Sequence, residues 1–170
     1  MKWSVLTLVG ADQPGIVAAV SDALYQQGCS LGQASMMQLG ANFAIMLRVR
    51  HDEGTDLRQL LADICDTMQL HLHIDEDVTD GGTGPDPDVQ VTVYGADRSG
   101  IVAQVTSALA EAGLNIIDLE TDMGGGTDNP IYIMTLEGVA SRGIEPLQQA
   151  LQGLDSDIEV NLDEISTLRG

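Results

Sequence analysis

Two short glycine-containing turns hold the residues of this sequence best suited to binding a ligand. One reads Asp12-Gln13-Pro14-Gly15, the other reads Asp97-Arg98-Ser99-Gly100, and an Ile-Val pair follows each of them. A helix that begins at such a turn has unpaired backbone N–H groups and partial positive charge, which suit a carboxylate. Glycine also lacks the Cβ that would keep a ligand away from the backbone. The turns therefore predict two anion-binding helix starts.

The same residues are also ordinary helix-start chemistry. Asp12 and Asp97 are expected to cap the helices through their side chains, and capping alone would account for Pro14 and Ser99 as well. It accounts less well for a glycine, a poor helix former, just inside both predicted helices. Ligand contact and plain helix initiation both stay open at this point.

The other candidate groups predict no catalysis, metal site or cofactor. His71 and His73 alternate on one strand beside Asp75, a pattern more typical of a solvated face than of a metal site. The run Gly124 to Gly126 joins two predicted strands, and no Gly-Lys-Ser/Thr follows it, so it predicts a flexible hairpin tip instead of a phosphate loop. The sequence shows no Ser/His/Asp or Cys/His grouping. We therefore expect a protein that is not an enzyme and has no cofactor.

The charge balance narrows the class of partner. Asp and Glu total 26 against 7 Lys and Arg, which gives a formal net charge of −19. Such a surface repels phosphate backbones and anionic lipid heads, so we expect neither direct nucleic-acid binding nor a membrane partner. Cys29 and Cys65 form no CxxC pair, and no stretch resembles a signal peptide, which favours a reducing cytoplasm.

An internal repeat divides the chain. Residues 7–28 align without gaps on residues 92–113, with 12 identities in 22 positions. The distance along the chain between the two segments is long enough for several secondary-structure elements. A repeat with such spacing indicates a duplicated domain. Residues 79–87, rich in Gly and Pro, predict a linker between domains at 1–78 and 88–170.

Each copy predicts the same order of elements, βαββαβ. In the first copy the predicted strands are 3–9, 31–38, 43–50 and 70–75, with amphipathic helices after Gly15 and from Leu57 to Met68. In the second copy they are 89–94, 115–123, 131–137 and 158–163, with helices after Gly100 and from Ile144 to Leu154. Gly28 and Gly113 are expected to end the first helix of each copy. The fold class is therefore α+β, with two ferredoxin-like units whose antiparallel sheets carry helices on one face.

The segment 95–102 (GADRSGIV), followed by Gly113-Leu114-Asn115-Ile116 in a βαββαβ unit, resembles the ACT domain over nearly the whole chain, twice. As a free-standing tandem pair, the chain is most similar to the glycine cleavage system transcriptional repressor group of ACT proteins. The resemblance implies binding of a small molecule, usually an amino acid, between paired units. The turn after the first strand would meet the start of the second strand of a neighbouring unit.

Carried over residue by residue, the resemblance implies two sets of ligand-binding residues. The first copy would contribute Asp12, Gln13, Pro14, Gly15, Ile16, Val17, Ser30 and Leu31. The second copy would contribute Asp97, Arg98, Ser99, Gly100, Ile101, Val102, Asn115 and Ile116. Asn115 can both donate and accept hydrogen bonds and Arg98 has no charged counterpart, so we expect the second copy to hold the better site.

The expected function is regulation of amino-acid metabolism through a protein partner, with a small-molecule ligand and a homodimeric assembly. The alternative is a structural or partner-binding module, or a separate regulatory subunit of an amino-acid biosynthetic enzyme, without a ligand of its own.

Overall fold

The computed structural model describes residues 1–76, 78–79, 84–96, 100–126, 129–154 and 157–165. The chain divides into two compact units, Met1–Gly82 and Thr83–Gly170. The division falls inside the segment 79–87.

Unit 1 is built from four strands and two helices. The elements are β1 (Lys2–Ala11), α1 (Ile16–Gln26), β2 (Ser30–Leu39), β3 (Asn42–His51), α2 (Leu57–Met68) and β4 (His71–Asp75). Its antiparallel sheet has the order β2-β3-β1-β4, so β2 and β4 are the edge strands.

Unit 2 repeats this arrangement. Its elements are β5 (Val89–Ala96), α3 (Ile101–Glu111), β6 (Leu114–Gly126), β7 (Asn129–Ala140), α4 (Ile144–Gln152) and β8 (Ile158–Glu164). The sheet order is β6-β7-β5-β8, again antiparallel throughout. The predicted α+β fold of two βαββαβ units is confirmed.

Each unit has its own hydrophobic core between the helices and one sheet face. In unit 1, Leu6 and Leu8 of β1 pack with Val20 and Leu24 of α1, all almost completely buried. In unit 2, Val91 and Val93 pack in the same way with Val105 and Leu109. Strand residues of the other parity lie on the opposite sheet face, which we call the open face of each unit.

The glycine run at 124–126 is not a hairpin tip. β6 continues to Gly126, and Gly124 and Gly125 pair with Ile131 and Pro130 of β7. These residues were predicted as a loop, but the backbone pairing between β6 and β7 continues through them. Glycine lacks a side chain and still pairs through its backbone. Gly28 and Gly113 do follow α1 and α3 with φ of 72° and 94°, as predicted.

The helices of the described residues are short, the longest having 12 residues. None of them has the length and apolar character needed to cross a membrane.

Candidate functional site

The turn between β1 and α1 is exposed but held from two sides. The backbone N–H of Asp12 donates to the carbonyl oxygen of Ala41 at 2.9 Å. The Nε2 of Gln13 donates to the carbonyl oxygen of Met68 at 2.7 Å. The turn is thus fixed against the β2–β3 hairpin and the end of α2. One N–H of the Gln13 amide is already bonded within the protein, which leaves its second N–H and its Oε1 for a ligand.

The two turn glycines stand at the N-caps of their helices and not inside them. Gly15 has φ 92° and Gly100 has φ 91°, both in the left-handed region. Residues with a Cβ are disfavoured there, so the backbone conformation by itself accounts for glycine at both positions. A Cβ on Gly15 would lie 3.9 Å from the Met68 Cε, and one on Gly100 would meet nothing within 4 Å. Among the described residues, the space that a Cβ would occupy is therefore open at both glycines.

The predicted capping by Asp12 is wrong. Gly15 occupies the N-cap, which places Asp12 four residues before the first helical residue, out of reach of the N–H groups a cap must satisfy. The Oδ2 of Asp12 accepts a hydrogen bond from Gln38 Nε2 on β2 instead. Asp97 was expected to cap in the same way, and it lies outside the described residues with Arg98 and Ser99.

The Ile-Val pairs after the glycines have divided roles. Ile16 and Ile101 are buried in the cores of their units. Their side chains therefore cannot touch a ligand at the surface, although their backbone N–H groups belong to the helix starts. Val17 is 45% exposed, whereas Val102 packs partly against the core of unit 2.

The start of β2 forms a second exposed element of unit 1. Ser30 and Leu31 line a surface pocket of about 440 Å³ together with Ser21, Tyr25, Gly28 and Cys29. Leu31 is 46% exposed and Ser30 half-buried. The pocket thus lies between the C-terminal half of α1 and the first residues of β2.

The turn and the strand start lie at opposite ends of the unit 1 sheet. Ala11, at the turn, pairs with Asn42, whereas Ser30 pairs with Arg50 at the other end of β3. The 11 residues of α1 lie between the two ends, a length of roughly 16 Å at 1.5 Å per residue. One unit by itself therefore does not bring its predicted site residues together.

Unit 2 places its strand start in the same way. Asn115 is exposed and pairs with Val139, while Ile116 is half-buried and packs on the core. A Cβ on Gly138 would lie 2.5 Å from the Asn115 carbonyl oxygen, so glycine lets the two strands approach here. The Asn115 side chain stays exposed.

A buried Ser-His pair was not found by sequence inspection. The Ser4 Oγ lies 2.9 Å from the His51 Nε2, and the His51 Nδ1 lies 2.9 Å from the carbonyl oxygen of Asp52. Since a carbonyl only accepts, the Nδ1 donates to it, and the Ser4 hydroxyl pairs with the Nε2. The alternation of Ser4 with the core residues Leu6 and Leu8 was the available signal. Ser4 is wholly buried, so its hydroxyl has a structural role and is not an accessible nucleophile.

The remaining titratable residues form no metal centre within the described part of the chain. His71, His73 and Asp75 share the open face of unit 1, and the His73 Nε2 lies 3.1 Å from the Asp75 Oδ1. Both cysteines are free thiols. Burial raises the pKa of Cys29, with a further contribution from Asp52. Burial likewise raises the pKa of Cys65, so neither thiol is activated as a nucleophile.

Comparison with known proteins agrees with this architecture. The ACT domain family model matches residues 4–75 and again residues 88–163. A UPF0237 protein of Methanococcus maripaludis is 35% identical over 75 residues, which cover 44% of this chain and 82% of that protein.

Two solved structures share the fold over almost the whole chain. An unknown protein from Galdieria sulphuraria superposes with a TM-score of 0.78 at 22% identity, covering 97% of this chain and 99% of that one. A putative glycine cleavage system transcriptional repressor superposes with a TM-score of 0.71 at 17% identity, covering 98% of both chains. The two units, their sheet order and the matched ranges define a tandem βαββαβ protein, and the chain belongs to the ACT domain family.

Proposed function

We propose that this protein is a regulatory sensor of a small molecule, an amino acid, and that it controls amino-acid metabolism. The observation that carries the proposal is the pair of helix starts at Gly15 and Gly100. Both glycines are exposed, both have the same left-handed N-cap, and neither carries a Cβ that would cover the backbone. Backbone N–H groups at such a start hold a carboxylate with help from the helix dipole.

An amino acid also needs a partner for its ammonium group. The side-chain oxygen of Asn115 or the hydroxyl of Ser30 can accept from it, and both belong to strand starts. Because a turn and a strand start of one unit lie at opposite ends, the ligand would sit between two units and would stabilise their pairing. We propose that the second copy, which has Asn115 and Arg98, holds the better site.

The sensor would act in the cytoplasm through a protein partner, as a homodimer. A net charge of −19 disfavours direct contact with DNA, so a transcriptional role resembling that of the glycine cleavage system repressors needs an intermediary. Catalysis is not part of the proposal, since the Ser-His pair is buried and the thiols are not activated.

The test is a thermal-shift panel of the twenty amino acids against the wild-type chain, Gly100→Asp and Gly15→Asp. A ligand at 100 times its dissociation constant adds about 2.7 kcal/mol of stability, which moves the melting temperature by several degrees. We expect one or a few amino acids to stabilise the wild type and this effect to disappear in Gly100→Asp. If Gly100→Asp keeps its affinity and Gly15→Asp loses it, the first copy holds the site.

A second candidate function is a partner-binding module without a ligand, including a regulatory subunit of an amino-acid biosynthetic enzyme. The left-handed φ of both glycines favours it, because helix initiation then explains the turns completely. A flat panel together with co-purification of such an enzyme would support this reading against the sensor.

A further inference from the structure

The open faces of the two sheets differ sharply in charge. Within the described strands of unit 1, the cations are Lys2, Arg48 and Arg50, and the only carboxylate is Asp75. The strands of unit 2 contain no Lys or Arg and carry seven carboxylates. The two units share one fold, and that fold does not require their strands to differ in charge.

Strand register places two of the unit 1 cations on its open face. Arg48 pairs with Val5 and Arg50 with Trp3, opposite in parity to the buried Leu47 and Val49. The guanidinium carbon of Arg48 lies 4.8 Å from the centroid of the Trp3 ring, and that of Arg50 lies 5.9 Å from it. Such stacking holds the two charges over one end of the sheet. We call this surface, with the apolar residues beside it, the cationic face.

Apolar side chains lie beside these charges, while the β4 side of the same face carries His71, His73 and Asp75. Met37 and Met46 are 59% and 53% exposed, and Val9 is 42% exposed. Register puts all three on the open side, where Met37 and Val9 both flank Ala44. Exposed methionine and branched side chains beside guanidinium groups are typical of surfaces that bind another protein.

The open face of unit 2, here called the acidic face, carries six of the seven carboxylates. They share its parity through β6, β7 and β8: Asp118, Glu120, Asp122, Glu137, Glu159 and Asp163. A hydrogen bond of 3.1 Å from Gln90 Nε2 to Glu137 Oε1 joins two neighbouring residues of this face. Tyr94 and Ile131, 37% and 41% exposed, supply its apolar surface.

We propose that the cationic face of one copy of this chain docks on the acidic face of a second copy. Opposite charges attract across the contact, and the apolar residues of both faces lose water there. Like faces repel, since two acidic faces would bring twelve carboxylates together. The charge pattern therefore favours contact between a cationic and an acidic face, and it disfavours contact between two faces of the same kind.

The area suits a weak, reversible contact. Four strands about 4.8 Å apart, with about eight residues each, outline roughly 500 Å² per face. One contact therefore covers roughly 1,000 Å² over both partners, which lies in the range of transient interfaces, below the about 800 Å² per partner of a standard one.

The experiment uses two charge-reversed chains in association assays with fluorescently labelled copies. Variant A is Arg48→Glu/Arg50→Glu and variant B is Glu120→Arg/Asp122→Arg. Variant A brings like charges together, and variant B sets two arginines of the acidic face against those of the cationic face and removes two of its six carboxylates, so we expect the self-association of each to fall by about tenfold or more. Mixed together, A and B restore both opposite-charge contacts, and their mutual affinity should return towards that of the wild type. Raising the salt concentration should weaken the wild-type contact.

Controls separate this effect from misfolding and from net charge. Circular dichroism and melting curves check each fold, and Arg50→Glu alone avoids disturbing the bond from Arg48 to the Thr79 carbonyl oxygen. Arg58→Glu on the helix layer changes the net charge by the same amount as Arg50→Glu alone, and Glu111→Arg changes it by the same amount in the opposite direction; both should leave association unchanged. Self-association of A and B equal to the wild type, or a failure of A to bind B, overturns the proposal.

Other occupants of the faces give different results. If the faces cover each other within one chain, A and B lose stability without any change in association, and combining all four substitutions in one chain restores it. If the acidic face receives a basic partner protein, the wild-type chain stays monomeric at all salt concentrations. Either result contradicts docking between copies.

Discussion

Glycine at the two helix starts is required first by backbone geometry. Gly15 and Gly100 both have φ near +90°, although the two residues before them differ, Gln13-Pro14 against Arg98-Ser99. The recurrence of glycine therefore does not by itself demonstrate a ligand. Substitutions that separate conformation from binding are informative at this scale.

Gly15→Ala and Gly100→Ala should each lower the free energy of unfolding by about 1–2 kcal/mol, the cost of a left-handed residue with a Cβ. Steric conflict adds little, because the nearest atom to either Cβ lies 3.9 Å away. Denaturant unfolding measures the change. Gly54→Ala is the matched control, since that glycine has no positive φ and an equally open surrounding, and it should be neutral or slightly stabilising. Equal effects at all three glycines would show that φ is not the cause.

At the scale of elements, hydrophobic alternation and helical spacing were sufficient to predict the order and type of all twelve elements. Leu57 to Met68 was predicted as α2 with its observed ends, because its apolar stripe and flanking residues agree. The ends of the strands were harder to predict from the sequence. Gly124 to Gly126 have the composition of a loop, and only their pairing partners on β7 make them strand.

The site was predictable only in part for a similar reason. Residue types located the turns, but the hydrogen bonds of Asp12 to Gln38 and of Gln13 to Met68 join positions 26 and 55 residues apart. No local pattern specifies such contacts. The capping role given to Asp12 failed because one residue, Gly15, took the N-cap.

A true side-chain cap does occur at α2, where the Asp56 Oδ1 accepts from the backbone N–H of Gln59 at 2.9 Å. Asp56→Ala should cost about 1 kcal/mol of stability, because it leaves a helix-start donor without its partner. Asp56→Ser keeps an acceptor and should retain most of the stability. Asp63→Ala removes the same charge in the exposed middle of α2 and should have little effect. A loss at Asp63 matching that at Asp56 would assign the effect to charge and not to capping.

At the scale of the whole molecule, the chain is two separately packed cores with unequal surfaces. The two copies bury the same positions of β1 and β5, Leu6 and Leu8 in one and Val91 and Val93 in the other, while the charges on their open faces differ. The core determines the fold, so surface charge can change freely and take on a role in association. The buried residues therefore reflect the family fold, whereas the surface charges support the proposed docking.

Separate cores predict that the two units unfold separately. Leu61→Ala in unit 1 and Leu147→Ala in unit 2 each empty a fully buried site and should cost about 2–5 kcal/mol. Scanning calorimetry should then show that each substitution lowers the melting temperature of one transition and leaves the other in place, because the two buried residues belong to different clusters. Amino-acid binding between units would couple the transitions, so the experiment is run first without ligand and then with the strongest stabiliser of the panel. A single transition lowered equally by both substitutions without ligand would mean that the units fold as one cooperative body.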